Sequence, residues 1–181
     1  MLVAHPDDDA IFGFHDLLNN NCTVICFTHG ETPRRREEFF RCMDVVNAKG
    51  HMMNFPDNKR SRWEDTTNLM VWKTIRPWLK GKFDAIVSHD SEGEYGHKHH
   101  RRIHHIAKFV SSRLGIPFYD FRSRFHESDY GDRHDAILNI YATQHGAVLD
   151  FKYFFSSCGR GSKEIPPSGG KTHCPEIPVG E

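Results

Sequence analysis

The sequence predicts an α/β fold, with a mainly parallel sheet between two layers of helices (a three-layer αβα arrangement). Two observations lead to this prediction. Short apolar runs rich in β-branched and aromatic residues alternate with longer segments of helical periodicity. The connections between these runs are long enough for helical crossovers, which parallel strands require. A chain of 181 residues is expected to form one domain with a core of ordinary size.

The individual elements follow from periodicity and from residues typical of helix ends. We predict strands at residues 2–4, 22–27, 51–55, 83–87 and 116–121. We predict helices at residues 9–19, 33–48, 65–79, 97–114 and 132–144. Thr32 followed by Pro33 is typical of a helix start, and Pro77 is expected to kink or close the third helix.

The polar segments of the chain follow the predicted strands. In a Rossmann-like parallel sheet, ligands bind beyond the carboxyl ends of the strands. The segments at this edge are residues 5–9, 29–32, 56–57 and 88–96. The sequence therefore predicts a functional site that these segments share.

Composition and charge exclude several classes of protein. The 24 Lys and Arg residues balance the 24 Asp and Glu residues, so the net charge does not indicate a nucleic-acid-binding protein. No apolar run approaches the ~20 residues of a membrane span. Three aspartates at positions 7–9 interrupt any signal-peptide pattern, so we expect a cytoplasmic protein. We predict a domain over residues 1–155 and an irregular segment rich in Gly and Pro over residues 156–181.

The first group of candidate functional residues follows the first strand directly. His5, Asp7, Asp8 and Asp9 offer one imidazole and three carboxylates, a ligand set suited to a divalent metal ion. Pro6 fixes the backbone within this group, as a rigid ligand loop would require. A second interpretation stays open at this point: Asp8 or Asp9 could simply cap the following helix.

The second group is rich in histidine and follows the fourth strand. Five of the 14 histidines lie between positions 97 and 105. Helical spacing places His97, His100 and His104 on one face and directs His99 away from it. A histidine at position 97 or 100 could complete a set of three protein ligands. Such a set leaves one position open, as in catalytic zinc sites.

Together, His5-Pro-Asp-Asp and Gly96-His97-x-x-His100 make residues 1–150 similar to the PIG-L/LmbE-like family of zinc-dependent de-N-acetylases. The resemblance implies removal of an acetyl group from the amide of an N-acetylglucosamine-type sugar. It implies His5, Asp8 and His100 as ligands of Zn²⁺, with Fe²⁺ as the alternative ion. It also implies that the partner is a small-molecule amino sugar or glycoconjugate.

The resemblance also assigns roles to residues that do not bind the metal. It implies Asp7 as the general base and His97 as the group that stabilises the oxyanion. From the chemistry of metal-assisted amide hydrolysis, we expect His97 to be protonated in this role. Tyr95 is implied to contact the reacting acyl group. Arg35, in an Arg-x-x-Glu pattern with Glu38, and Asp57, in Phe-Pro-Asp, are implied to bind the substrate. Tyr141-x-x-Gln144 is similar to a late helix of the family, with Thr143 in the place of a serine.

The chain departs from the family pattern at two places. Asp9 stands where a glutamate is common, and Lys98 and His99 stand where Pro and Asp are common. We expect both departures to alter hydrogen bonds around the metal ligands.

Two other functions remain as alternatives. The segment between Tyr95 and Tyr119 has five Lys or Arg, five His and no acidic residue. With Arg34–Arg36 it could form a basic surface for a phosphate group or a nucleic acid, although this leaves residues 5–9 unexplained. A non-catalytic metal-binding module built from His97, His100 and His104 is the second alternative.

Overall fold

The computed structural model describes residues 1–58, 63, 66–124, 131–144 and 146. It confirms the predicted α/β class with a five-stranded sheet in the order β3-β2-β1-β4-β5, all neighbours parallel. The strands are β1 (Leu2–Val3), β2 (Thr23–Thr28), β3 (Lys49–Phe55), β4 (Ile86–Ser88) and β5 (Phe118–Asp120).

The strand order reverses at β1, and this reversal positions the site. From β1 the chain adds β2 and β3 on one side, and then crosses over to add β4 and β5 on the other. Leu2 pairs with Ile25 of β2 and with Ser88 of β4. A crevice forms at such a switch point, outside the carboxyl ends of the two central strands. The residues that follow β1 and β4 therefore meet there.

Six α-helices connect or follow the strands within the described residues. They are α1 (Asp8–Ile11), α2 (Phe14–Asn19), α3 (Pro33–Val45), α4 (Asn68–Ile75), α5 (Lys98–Leu114) and α6 (Asp132–Leu138). Single 3₁₀ turns lie at Arg76–Trp78, Arg122–Arg124 and Ala142–Gln144.

Several predicted helix boundaries were wrong for identifiable reasons. The predicted helix 9–19 is divided into α1 and α2 at Gly13, where a Cβ atom would lie 2.8 Å from the Met1 side chain. The predicted helix 65–79 begins only at Asn68, because the Thr67 side chain accepts a hydrogen bond from Met70 N and caps it. Pro77 lies in the 3₁₀ turn that closes α4, as expected.

The predicted helix 132–144 is also shorter than expected. It ends at Leu138 and gives way to the turn Ala142–Gln144. The helix predicted at 33–48 ends at Val45. The helix predicted at 97–114 begins at Lys98, with His97 as its N-cap residue.

Two buried apolar clusters separate the three layers. Alternate residues of the central strands face opposite sides of the sheet. Val3 belongs to the cluster that includes α1, α3 and α6 residues, whereas Leu2 belongs to the cluster that includes α4 and α5 residues. The arrangement confirms the αβα prediction, since each face of the sheet is covered by helices.

The predicted division at residue 155 and the predicted irregular segment 156–181 lie outside the described residues and stay predictions. Among the helices that the structure describes, none has both the length and the apolar character needed to cross a bilayer.

Candidate metal centre

The candidate ligands lie where the switch point of the sheet places them. His5 and Asp8 follow β1, and His100 lies in the first turn of α5, which follows β4. All three residues are buried. The structure thus brings together residues that are 92 positions apart in the chain, Asp8 and His100.

The three side chains converge on one point. His5 Nδ1 lies 3.2 Å from Asp8 Oδ2, His100 Nε2 lies 3.3 Å from His5 Nδ1, and His100 Nε2 lies 3.4 Å from Asp8 Oδ1. Atoms bound at 2.0–2.1 Å to one tetrahedral ion lie about 3.3–3.5 Å apart. Two imidazoles and one carboxylate in this arrangement can hold a divalent ion such as Zn²⁺.

Glu94 sets which nitrogen of His100 faces this point. Glu94 Oε2 lies 2.6 Å from His100 Nδ1, so Nδ1 carries the proton and Nε2 is available for a metal. Glu94 Oε2 also lies 3.0 Å from His89 Nδ1, and the Ala4 N–H donates to His89 Nε2 at 3.1 Å. The His89 ring stacks on His100 with centroids 3.9 Å apart.

The turn that carries Glu94 depends on local backbone geometry. Glu94 has a φ of 53°, a left-handed conformation that costs of the order of 1 kcal/mol for most residues. Asp90 stabilises it, because Glu94 N donates to Asp90 Oδ1 and Asp90 N donates to Glu94 Oε1. Gly93 is needed beside it, since a Cβ atom there would lie 2.5 Å from His97 O.

The electrostatics of the site favour a positive charge between the candidate ligands. Burial raises the pKa of Asp8, but the neighbouring His100, His5 and His89 hold it well below its usual range. Burial lowers the pKa of His5, but Asp8 and Asp57 outweigh burial and raise it to about 10. A site that binds a proton this firmly also suits a cation.

The capping interpretation of Asp8 and Asp9 is wrong. Asp7 is the N-cap residue of α1, and its side chain makes no capping hydrogen bond. Asp8 Oδ2 accepts a hydrogen bond from His5 N at 2.7 Å and faces the histidines. Asp9 faces the opposite layer, where the Tyr141 hydroxyl lies 3.0 and 2.8 Å from its two carboxylate oxygens.

Asp7 and Arg35 lie together beside the cluster. Arg35 Nη2 donates to Pro6 O at 3.0 Å and lies 3.4 Å from Asp7 Oδ1. Burial and the charge of Asp8 raise the pKa of Asp7 to about 8, although Arg35 and His5 oppose this shift. A carboxylate with such a pKa can both take up and release a proton near neutral pH.

His97 and Tyr95 border the same point on the α5 side. The His97 ring centroid lies 4.8 Å from that of His5, and the Tyr95 ring centroid lies 5.4 Å from that of His100. Burial and the nearby His100 and His5 lower the pKa of His97 to about 3. The imidazole is therefore neutral at physiological pH, not protonated as the sequence analysis expected.

The predicted stripe of histidines on α5 was wrong in two respects. His97 lies outside the helix with an extended backbone (φ −68°, ψ 123°), so helical spacing does not apply to it. His104 Nδ1 lies 2.9 Å from the backbone oxygen of His89, and His104 belongs to none of the three potential metal-binding groups among the described residues. The structure thus disfavours a metal-binding module made of residues 97, 100 and 104.

His99, which was expected to point away, belongs to the site instead. It is buried, and its Nδ1 lies 3.4 Å from His5 Nε2. Its ring stacks on Trp63 with centroids 4.1 Å apart. Asp57 Oδ1 lies 3.5 Å from both His5 Nε2 and His99 Nδ1, and Asp57 Oδ2 lies 2.9 Å from His29 Nε2. Asp57 is partly exposed, so it lies at the opening of the site.

The two remaining pairs from the family pattern connect elements behind the site. Glu38 Oε1 accepts a hydrogen bond from Thr143 N at 2.9 Å, which fastens α3 to the turn Ala142–Gln144. Tyr141, two residues earlier, bonds to Asp9. Both contacts hold the last described segment against the layer that contains α1 and α3.

Sequence reasoning missed the roles of Glu94 and His89. Their contacts arise from the turn between β4 and α5, which no periodic pattern describes. The sequence did offer one signal: Glu94 is a carboxylate two residues before Gly96, in the polar segment that follows the central strand β4.

Comparisons with known proteins identify a family and several similar proteins. A family model described as PIG-L, GlcNAc-PI de-N-acetylase, matches residues 1–110. The uncharacterized protein L374 of Acanthamoeba polyphaga mimivirus is 31% identical over an alignment 123 positions long, which covers 57% of this chain and 53% of that protein. The chain thus spans about half the length of this relative.

Solved structures share the fold at low sequence identity. The pseudoaglycone deacetylase Dbv21 of antibiotic A40926 is 13% identical with a TM-score of 0.61, covering 79% of this chain and 80% of its own. The conserved protein TT1542 from Thermus thermophilus is 17% identical with a TM-score of 0.61, covering 87% and 86%. GalB, the 4-carboxy-2-hydroxymuconate hydratase of Pseudomonas putida, is 14% identical with a TM-score of 0.59, covering 91% and 90%.

Proposed function

The chain belongs to the PIG-L family, described as GlcNAc-PI de-N-acetylase, and on that basis we propose that it is a metal-dependent de-N-acetylase. The proposed substrate is an N-acetylglucosamine-type amino sugar or glycoconjugate, from which it releases acetate. The observation that carries the proposal is the convergence of His5, Asp8 and His100 at distances of 3.2–3.4 Å. The proposed ion is Zn²⁺, with Fe²⁺ as the alternative.

The donor atoms present suit such an ion. Two imidazole nitrogens and a carboxylate oxygen are the ligand types found in catalytic zinc sites with an open position. A divalent ion held there acts as a Lewis acid on a carbonyl and makes a water molecule more acidic. The contact between Glu94 and His100 Nδ1 supports this assignment, because carboxylates commonly orient metal-binding histidines in this way.

Asp7 is proposed as the general base. It takes the proton of the attacking water and later gives it to the nitrogen of the departing amine. Burial beside Asp8 raises the pKa of Asp7 above its usual range, which makes this carboxylate a better proton acceptor and supports both steps. Arg35 orients the carboxylate through its contact with Asp7 Oδ1.

His97 is proposed to stabilise the oxyanion of the tetrahedral intermediate as a neutral imidazole. A neutral ring keeps one N–H donor, so the low pKa of His97 does not remove its ability to donate a hydrogen bond. Loss of one such donor typically costs ~2.7–4 kcal/mol of transition-state stabilisation. Tyr95, which is about half exposed, is proposed to contact the acyl group from the open side.

Substrate binding is proposed to involve Arg35 and Asp57, which both contact His29 Nε2, Arg35 Nη1 at 3.4 Å and Asp57 Oδ2 at 2.9 Å. Asp57 can accept hydrogen bonds from sugar hydroxyl groups because its carboxylate is partly exposed at the opening. The choice of an amino sugar is supported by the description of the family rather than by these contacts.

A nucleic-acid-binding function is less well supported. Three cations of the basic segment are engaged within the chain. Arg101 Nε donates to Glu92 O, Arg102 donates to Asn68 Oδ1 and Thr66 O, and Lys98 Nζ donates to Asn58 O.

The proposal is tested with Asp7→Asn and, as a matched control, Asp44→Asn at an exposed position of α3. Acetate release from N-acetylglucosamine compounds and metal content are measured for both. Asp7→Asn should keep its metal and lose about 10²- to 10⁴-fold in turnover, whereas Asp44→Asn should match the wild type. Full turnover in Asp7→Asn would exclude Asp7 as the base.

A further inference from the structure

We propose that the molecule has a second cation site, formed by His5 Nε2, His99 Nδ1 and Asp57 Oδ1. These atoms lie on the side of the His5 ring opposite to Nδ1, which faces Asp8 and His100. The pairwise distances are 3.4 Å between His5 and His99, 3.5 Å between His5 and Asp57, and 3.5 Å between His99 and Asp57.

These distances fit a shared ion better than they fit hydrogen bonds. Hydrogen bonds from a ring N–H to a carboxylate are about 2.7–3.2 Å long, and both contacts of Asp57 Oδ1 exceed this range. Three ligands of one tetrahedral ion lie about 3.3–3.5 Å apart when each bond is 2.0–2.1 Å. The three atoms form a nearly equilateral triangle of that size, much like the triangle of His5 Nδ1, Asp8 and His100 Nε2.

The two side chains that complete this triangle are held in place. The buried His99 ring lies parallel to Trp63 at 4.1 Å, with 6° between the ring planes. Trp63 Nε1 in turn donates to Pro56 O at 3.0 Å. Asp57 is fixed through its other oxygen, Oδ2, which lies 2.9 Å from His29 Nε2. Because these side chains are already held in position, they lose little conformational entropy when an ion binds.

A fourth donor is close by. His97 Nδ1 is buried and has no hydrogen-bond partner among the described residues. A ring nitrogen of His97 lies within 4.8 Å of ring nitrogens of His5 and His99. A set of two or three imidazoles with one carboxylate suits Zn²⁺ or Cu²⁺ and disfavours Mg²⁺ and Ca²⁺, which prefer oxygen ligands.

When both sites are filled, His5 bridges the two ions through its two ring nitrogens. The ring must then release its remaining proton to solvent. The second ion is accordingly expected to bind more weakly than the first and to displace one proton.

The second ion is expected to inhibit the proposed deacetylation by hindering substrate binding. This consequence rests on the proposed function, because the ion would occupy Asp57 and approach His97, which are proposed to serve the substrate. Zinc in excess of one equivalent should therefore raise KM, and His99→Phe should weaken that effect.

The test is a Zn²⁺ titration by calorimetry of the full, chelator-treated chain. Three variants are compared with the wild type. His99→Phe removes the ring nitrogens but preserves the aromatic stack on Trp63, and Asp8→Asn removes a ligand of the first site. His105→Gln is the control, at an exposed position of α5. The wild type and His105→Gln should bind two ions per chain, a tight one and a weaker one. His99→Phe should bind only the tight ion, and Asp8→Asn should lose the tight ion selectively.

Two outcomes would overturn the second site: a wild type that saturates with one ion, or His99→Phe that still binds two. Co²⁺ titration of the wild type gives a reading that does not depend on any variant, because a second tetrahedral ion must add a second step to the visible absorption. Absence of that step contradicts the proposal even if His99→Phe fails to fold. None of these readings involves turnover, so failure of the deacetylase proposal would be seen separately.

Discussion

Asp8 and Asp9 are adjacent in the chain and both are buried, yet they lie in opposite regions of the molecule. Asp8 faces the histidines after β1 and β4, which hold its pKa well below the usual range against the effect of burial. Asp9 faces the layer of α3 and Tyr141, where burial raises its pKa to about 7 despite the hydrogen bond from Tyr141. Two consecutive residues of α1 are thus a carboxylate that stays ionised and a carboxylate that folding tends to neutralise.

The comparison shows that the partners, and not the residue type, decide what a buried carboxylate can do. A carboxylate with cationic partners can serve as a metal ligand, whereas one with a hydroxyl and a thiol as partners is structural.

The largest contrast is expected between Asp8→Asn and Asp9→Asn. Asp8→Asn removes the anionic ligand and should abolish both tight metal binding and turnover. Asp9→Asn should keep the metal, because Asp9 bonds to Tyr141 and Cys42 and not to the histidines. Elemental analysis and acetate release measure both effects. Equal loss of metal in the two variants would remove the distinction between the two regions.

A smaller effect is expected when the carboxylate behind His100 is changed. Burial raises the pKa of Glu94, but the charge of His89 and the hydrogen bonds from His100 and His89 lower it to about 2. Glu94→Gln keeps the size of the side chain and removes its charge, so metal affinity should fall about 10- to 100-fold. Competition with a chelator of known affinity measures this change. An unchanged affinity would show that Glu94 does not orient His100.

The smallest effect concerns stability in the Asp9 region. The folded state retains the Asp9 proton up to about pH 7, whereas the unfolded state releases it near pH 4. This aspartate therefore costs stability as pH rises through that window. Asp9→Asn should unfold at nearly the same denaturant concentration as the wild type near pH 4 and be more stable by up to about 4 kcal/mol at pH 8. A difference independent of pH would contradict the raised pKa of Asp9.

The part of the fold that the sequence predicts well is the part with strong local signals. The five strands were located to within a few residues because apolar runs bounded by polar segments mark them clearly. The convergence of residues 5–9 with residues 88–100 follows from the same reasoning, since parallel strands bring their carboxyl ends to one edge.

The part that could not be predicted depends on contacts between distant residues. The break between α1 and α2 lies at Gly13, where the Met1 side chain leaves no room for a Cβ atom, and no local pattern reveals this contact. The buried position of His99 depends on its contacts with His5 and Trp63 in the first turn of α5, which helical spacing alone does not reveal. The role of Glu94 depends on a left-handed residue in a turn, which the sequence around it does not specify.

The most direct test of the central claim is the metal content of chain purified without added metal, for the wild type, His100→Ala and His104→Ala. Both histidines are buried on α5, but only His100 converges with His5 and Asp8. We expect about one tightly bound ion per chain in the wild type and in His104→Ala, and none in His100→Ala. A tightly bound ion that remains in His100→Ala, or one that is lost only from His104→Ala, would contradict a metal centre formed by His5, Asp8 and His100.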